Sequence, residues 1–291
     1  MADTRRTREH RGPVTLALRF LVIAYLAVLV VWPLWEVTSR TFAPTERNAA
    51  GGVAAFLERL QDPSVAYAFS LTGTVAFWAV LINTVFGVGI SLLLVRYQFP
   101  GRRVLSVLVD LPMSVSPVVV GLALVLAYSS GQGWFGEALE GVGILIIGTT
   151  PGLVMATAFV SLPLVVREIV PVLEEVGTDA ELAASSLGAS GWQTFRRITL
   201  PTIKWAVVYG VVLSMARSLG EFGAVKIVSP GAEFRGETAT ILIQNRYTNY
   251  EEPTAYAAAF VLVLASVLAL VVVSLLRKPE HESENLQEVS P

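Results

Sequence analysis

Long apolar runs separated by short polar segments set the pattern of this chain. Six stretches hold enough apolar residues to cross a hydrocarbon core of about 30 Å as helices: Leu16–Val37, Ala66–Val95, Val104–Ser130, Val142–Val166, Leu200–Val225 and Thr254–Leu276. The second is uncharged for 30 residues. At 1.5 Å per residue that is roughly 45 Å, so it must tilt or extend past the core. The third run carries Asp110, Pro112 and Pro117, and the fifth carries Lys204, Arg217 and Glu221. Broken or charged spans face protein or water rather than lipid, which makes these two the functional candidates. The pattern predicts an all-α, polytopic transmembrane bundle of about six spans over residues 16–276, between a basic tail (1–15) and an acidic tail (277–291).

Composition agrees with a membrane class. Apolar residues make up 54% of the 291, charged residues 15%, and the mean hydropathy is +0.62, far from the usage of soluble domains. The first run is too long for a signal peptide and reads as a retained helix. Lys and Arg fall unevenly, with fourteen in the tails and the loops on their side against six in the alternate loops. That asymmetry places both termini in the cytoplasm. There is no cysteine, and His10 and His281 both lie in the tails. A disulfide framework and thiolate metal sites are therefore excluded, and an intramembrane metalloenzyme is disfavoured. No glycine-lysine phosphate-binding motif is present, so no nucleotide site is expected in this chain. Among the extramembrane pieces, "AAFLERL" predicts a short amphipathic helix on the outer surface. The segment Gly231–Pro253 reads as a solvated loop or as a surface for a soluble partner.

One polar segment stands apart from the spans: "ELAASSLGASGWQTFRRITLP", residues 181–201. Thr178 followed by Glu181 has the spacing of a capping box and predicts a helix through Leu187, stopped by Gly188. Ser190 followed by Gln193 predicts a second capped helix, with Trp192, Phe195 and Ile198 at helical spacing. Pro201 would then open the fifth span, where a first turn tolerates it. Spacing alone leaves two roles open: an interfacial hairpin tying two spans together, or an element on which a partner docks.

The same residues carry a resemblance. The stretch resembles the signature loop of ABC importer permeases, in which Glu-Ala-Ala is followed by Gly and then by Ile-x-Leu-Pro. Ala183, Ala184, Gly188, Ile198, Leu200 and Pro201 fall in register, while Leu182 occupies the usual glutamate position and the acid stands one residue earlier, at Glu181. "LPMSVSPVVVGLALVL", "FVSLPLVVREIVPVL", "ARSLGEFGAV" and "RGETATILIQNRY" extend the likeness over roughly 111–276. They are most similar to the W-type (CysW-type) permeases of sulfate/thiosulfate importers, related to molybdate permeases. The resemblance implies the type I, MetI-like permease fold in a bacterial inner (plasma) membrane. It implies a non-enzymatic subunit without cofactor that imports sulfate or thiosulfate, with ATP bound by a partner. The implied partners are an ABC ATPase dimer, a T-type permease, an extracytoplasmic sulfate-binding protein and membrane lipid, and no nucleic acid. It also makes residues 177–199 a coupling loop seated on the ATPase. A molybdate or tungstate importer is the nearest alternative, and an ATP-independent channel or secondary carrier is an alternative of another class.

Candidates for the translocation path follow from physics. Pro112 and Pro117 kink the third span and free backbone groups there, so Ser114, Ser116 and Pro117 are expected to line the pore with hydroxyls and backbone N–H groups suited to a hydrated oxyanion. Arg217 and Glu221 are four apart and able to pair. They read first as a structural ion pair, and in the sharper reading as a positive lining of the path. Asp110 is expected near the interface or paired with Arg103, with a role in the path as the other reading.

Overall fold

In the computed structural model, residues 13–44, 51–131 and 133–276 are described, and among them the regular structure is helical. The basic stretch Arg5–Arg11, Arg47, and Arg277 with the acidic tail after it lie outside the described residues.

The first run forms α1 (Pro13–Leu26) and α2 (Trp32–Thr41), joined without a break by a wide π-turn at Ala27–Val31. An amphipathic helix, α3 (Gly52–Leu60), follows where "AAFLERL" predicts one. Its Phe56 packs with Phe42 and Phe260. Asp62 caps α4 (Pro63–Arg96), its side chain accepting from the Ser64 amide, with Pro63 in the first turn.

The third span is the first departure from expectation. It is two helices, α5 (Arg102–Ser114) and α6 (Pro117–Tyr128), bent by 115°, where a kink was predicted. Pro117 disfavours the α conformation at Ser116, and Val115 and Ser116 both adopt extended backbone. Val109 in α5 packs against Leu94 and Val166, whereas Val120 in α6 packs against Ala156, Val160 and Ala224. The break thus lies beside the middle of α8 (Thr150–Val176), after the short α7 (Gly136–Glu140). The fourth run shifts accordingly: residues 142–149 are irregular, and the helix runs on to Val176.

Gly177, at φ +68°, ends α8. Then come α9 (Asp179–Ser186), α10 (Gly191–Thr194), a π-turn at Phe195–Thr199 and α11 (Leu200–Leu219). The helix from Gly191 to Leu219 is continuous, so Pro201 lies inside it rather than opening a new span. Its missing N–H and its ring against the carbonyl of Arg197 account for the widened turn just before it. The fifth run breaks at Gly220–Phe222 and resumes as α12 (Gly223–Val228). Gly231–Pro253, which reads as a solvated loop or a surface for a soluble partner, contains α13 (Ala239–Thr248), with Ala239, Ile241 and Leu242 fully buried. The hydrophobic side chains of α13 seat it against α4 and the last helix, α14 (Glu252–Leu276). Among the described residues, five helices are long and apolar enough to cross a membrane, and six if the bent pair counts as one span.

At the centre, α8 packs on α4 and α11. A Cβ at Gly87 of α4 would stand 2.7 Å from Val165 Cγ1, and one at Gly210 of α11 would stand 3.0 Å from the Val165 Cα. Small residues on both flanks let three helices close on Val165, and van der Waals packing is the main attraction between helices in lipid. Gly210→Val is expected to destabilise the bundle by about 1–3 kcal/mol through overpacking, read as a lowered thermal midpoint in detergent. An unchanged midpoint would show that the contact yields.

Candidate functional site

At the α9 end of the bundle the polar hairpin is built in part as its sequence predicts. Gly188 sits at φ +85° with nothing within 4 Å of where a Cβ would stand, so the turn needs its backbone freedom and not its smallness. The Ala189 amide closes back on the Ala184 carbonyl at 3.0 Å. Ser190 and Gln193 form the reciprocal capping box, at 2.8 and 3.4 Å.

The first predicted capping box is absent: Thr178 makes no side-chain cap. Glu181 turns toward α4 instead. Arg96 Nε donates to Glu181 Oε2 at 2.9 Å, and Thr199 Oγ1 donates to Glu181 Oε1 at 2.8 Å. The same guanidinium donates to the carbonyls of Leu173 (2.9 Å) and Gly177 (2.7 Å), completing the C-terminus of α8. Ile198 lines the small cleft around this group, with Ala180 and Ile203. Ala183, Leu200 and Pro201 are exposed away from it, and Ala184 is half-buried in α9. Leu182, at the family's glutamate position, and Leu187 are both exposed, leaving the outer side of α9 without a partner among the described residues.

Midway along the bundle the two helix breaks meet. A Cβ on Gly223 would stand 3.0 Å from Pro117 Cβ, and one on Gly121 would stand 2.7 Å from the Ala224 carbonyl oxygen. Glycine at both positions brings α6 and α12 into backbone contact. Ser114 and Ser116 are exposed at the α5–α6 break, and Pro117 is half-buried. The N-terminus of α6 opens there, giving the break a positive helix dipole.

Glu221 completes the other break. Its Oε1 accepts from the Ala224 amide at 2.9 Å, its Oε2 pairs with Arg217 Nη1 at 2.7 Å, and its carbonyl accepts from Thr240 Oγ1 at 2.8 Å. The Glu221 side chain is 2% exposed against 37% for Arg217. The carboxylate is a buried structural group, and only the arginine has a face open to its surroundings. Behind the breaks, Asn83 donates to the Ala158 carbonyl and to Ser161 Oγ, and Ser218 donates to Ser161.

Other charges find partners that spacing does not reveal. Asp110 pairs with Arg167 at 2.9 Å, not with Arg103, and both are about half exposed. On α13, burial opposes the charge of Arg246, but Glu251, Asp62 and Glu233 outweigh it and raise its pKa. These contacts tie α13 to the start of α4 through Ser64 Oγ. Arg96, Thr199 and Arg167 were all missed from sequence, although Arg96 had one signal: it is the charge that ends the longest uncharged run.

Known proteins resemble this chain in sequence and in fold. The family described as "Binding-protein-dependent transport system inner membrane component" matches residues 83–278. The "Sulfate transport system permease protein CysW" of Synechococcus elongatus is 42% identical, over 92% of this chain and 91% of that protein. The "Sulfate transport system permease protein CysT" of Escherichia coli is 41% identical, over 75% of this chain and 78% of that one. A crystal structure of a bacterial ABC transporter involved in import of the polysaccharide alginate superimposes with a TM-score of 0.72, at 17% identity, covering 96% of each chain. The last likeness concerns the fold.

Removing Arg217 strands a buried carboxylate. After discounting for the arginine's partial exposure, Arg217→Ala is expected to cost about 1–2 kcal/mol. Arg217→Ala combined with Glu221→Gln should recover part of it. Thermal unfolding of the two single variants and the double variant checks this, and additive losses would dissolve the pair as an energetic unit.

Proposed function

Because the chain belongs to the family of binding-protein-dependent transport system inner membrane components, we propose that it is the W-type permease subunit of an ATP-binding cassette importer that carries sulfate, and with it thiosulfate, into the cytoplasm. The observation that carries the reading is the 42% identity to a CysW sulfate permease along 92% of the chain. The geometry supports it at both ends of the mechanism.

The α9 end is the cytoplasmic end in this reading, and both termini lie on that side. Residues 177–199 dock on an ATPase subunit, presenting the exposed side of α9 around Ala183 and Leu187. The energy source is external, since ATP is bound by the partner and this chain contributes transport without cofactor or catalysis. A T-type permease completes the pore, a binding protein delivers the anion from outside, and lipid covers the apolar outer faces.

The path runs past the paired breaks. Ser114 and Ser116 offer hydroxyl donors, Pro117 opens α6 so that its N-terminal dipole faces the passing anion, and Arg217 adds a positive charge largely neutralised by Glu221. Such donors hold an oxyanion weakly enough to release it, which transport requires. Closure of the ATPase subunits on nucleotide, transmitted through the hairpin, alternates the side on which the breaks are open.

Labelled sulfate uptake in cells lacking this subunit tests the reading, with membrane abundance followed in parallel. Wild type is expected to restore uptake. Gly188→Val, which forces a β-branched residue to φ +85° at a cost of about 1–2 kcal/mol, is expected to leave the chain inserted with uptake lost. Ser114→Leu combined with Ser116→Leu should lower uptake at unchanged abundance. If molybdate uptake follows the subunit while sulfate uptake does not, the anion is the larger oxyanion. If neither follows it, the importer reading falls.

A further inference from the structure

Arg96 holds three segments together with one side chain, and Glu181 joins a fourth. It closes α4, donates two bonds to the final turn of α8 and its cap, and donates a third to Glu181 of α9, whose other oxygen is held by Thr199 at the end of the π-turn leading into α11. The guanidinium is 11% exposed and the carboxylate 21%, so water screens the group little, and charge-assisted bonds of this kind are among the stronger polar links. A lysine would keep the charge but would lose the planar fork that reaches three acceptors at once.

The arrangement also answers why the acid stands at Glu181 and not one residue later. On α9 a shift of one position rotates a side chain by about 100°. Glu181 consequently faces inward to Arg96, while Leu182 faces outward. The hairpin's acid is spent within the chain, and the surface offered to a partner at that position is apolar.

We propose that Arg96, Glu181 and Thr199 form a strut that fixes the coupling hairpin to the cytoplasmic ends of α4 and α8, so that displacement of α9 moves those helices as one body. Arg96 and Thr199 are positioning residues: they touch neither the anion nor the nucleotide and act through Glu181. The inference rests on the importer reading for its consequence, though the rigidity itself belongs to this chain. Capping of α8 alone would explain the bonds to Leu173 and Gly177; it leaves unexplained the bonds that link Glu181 to both Arg96 and Thr199.

The test uses the complete importer in proteoliposomes with loaded binding protein. It compares wild type with Arg96→Gln, Arg96→Lys, Glu181→Gln and Thr199→Val. Two quantities are read: ATP hydrolysed per labelled sulfate imported, and the distance distribution between spin labels on α9 and on the last turn of α4. Arg96→Gln and Glu181→Gln are expected to assemble, to raise the ATP-to-sulfate ratio by about fivefold or more, and to broaden the distance distribution. Thr199→Val should do the same more weakly, and Arg96→Lys, which keeps the charge but loses the fork, should fall between wild type and Arg96→Gln. A ratio within twofold of wild type, or a distribution as narrow as wild type in Arg96→Gln, overturns the strut. Failure of every variant to assemble overturns it too, because the group would then be structural only. The two readings separate in the wild type: a narrow distribution that broadens in Arg96→Gln, with no sulfate imported by wild type, upholds the strut and removes the sulfate assignment.

Discussion

A backbone in hydrocarbon must satisfy its own hydrogen bonds or find a neighbour that does, and this chain meets that demand where its helices are interrupted. The Ala224 amide, freed where α11 gives way to α12, is met by Glu221, and the carbonyl of Glu221 is met by Thr240. The last carbonyls of α8 are met by Arg96. At α6 the extended Ser116 supplies the carbonyl that accepts from Val119 and Val120. The break at Glu221 is buried against protein that supplies the missing partners, whereas the α5–α6 break, where Ser114 and Ser116 are exposed, is met within its own turn. Polar groups fixed in a low-dielectric setting can face an ion without first reorganising, which is what the proposed path requires.

What the sequence shows and what it hides divides along the range of the interaction. Apolar runs, the Gly188 turn and the Ser190–Gln193 cap are local, and the structure contains them. Pro117 marks an interruption, but the size of the bend depends on Val115 and Ser116 both becoming extended, which no periodicity encodes. Residues 231–253 read as loop because α13 is short and carries Gln244, Asn245 and Arg246; it is held by burial of Ile241 and Leu242 against distant helices. Glu181 is the clearest case. Thr178 at capping-box spacing offers it a local partner, yet it pairs with Arg96, 85 residues away, because a charged fork completing a helix end outweighs a single neutral cap.

The charges along the candidate path follow the same reasoning. An unpaired arginine far from the interface costs about 2.5–3.5 kcal/mol on insertion scales, and Arg217 avoids that through Glu221. Pairing also weakens its pull on an anion, which shifts recognition toward hydroxyls and helix dipoles. Asp110 and Arg167 show the complementary case, a half-exposed pair on the α5–α8 face. Lipid would be a poor neighbour for it, so that face belongs toward water or a second subunit.

The two functional regions are joined by one element. From Gly191 to Leu219 the chain is a single helix of 29 residues, roughly 43 Å at 1.5 Å per residue. One end carries the exposed Trp192 of the hairpin, and the other runs into Gly220–Phe222, where the helix breaks beside Pro117. Its wide turn at Phe195–Thr199 is the irregular segment between them, and Thr199 within that turn is bonded to Glu181. In the proposed importer, a displacement of the hairpin would enter this helix through the wide turn at its base and reach the break at Gly220–Phe222 at its far end. The sequence feature that makes this possible is Pro201: it loosens the helix by one wide turn without ending it.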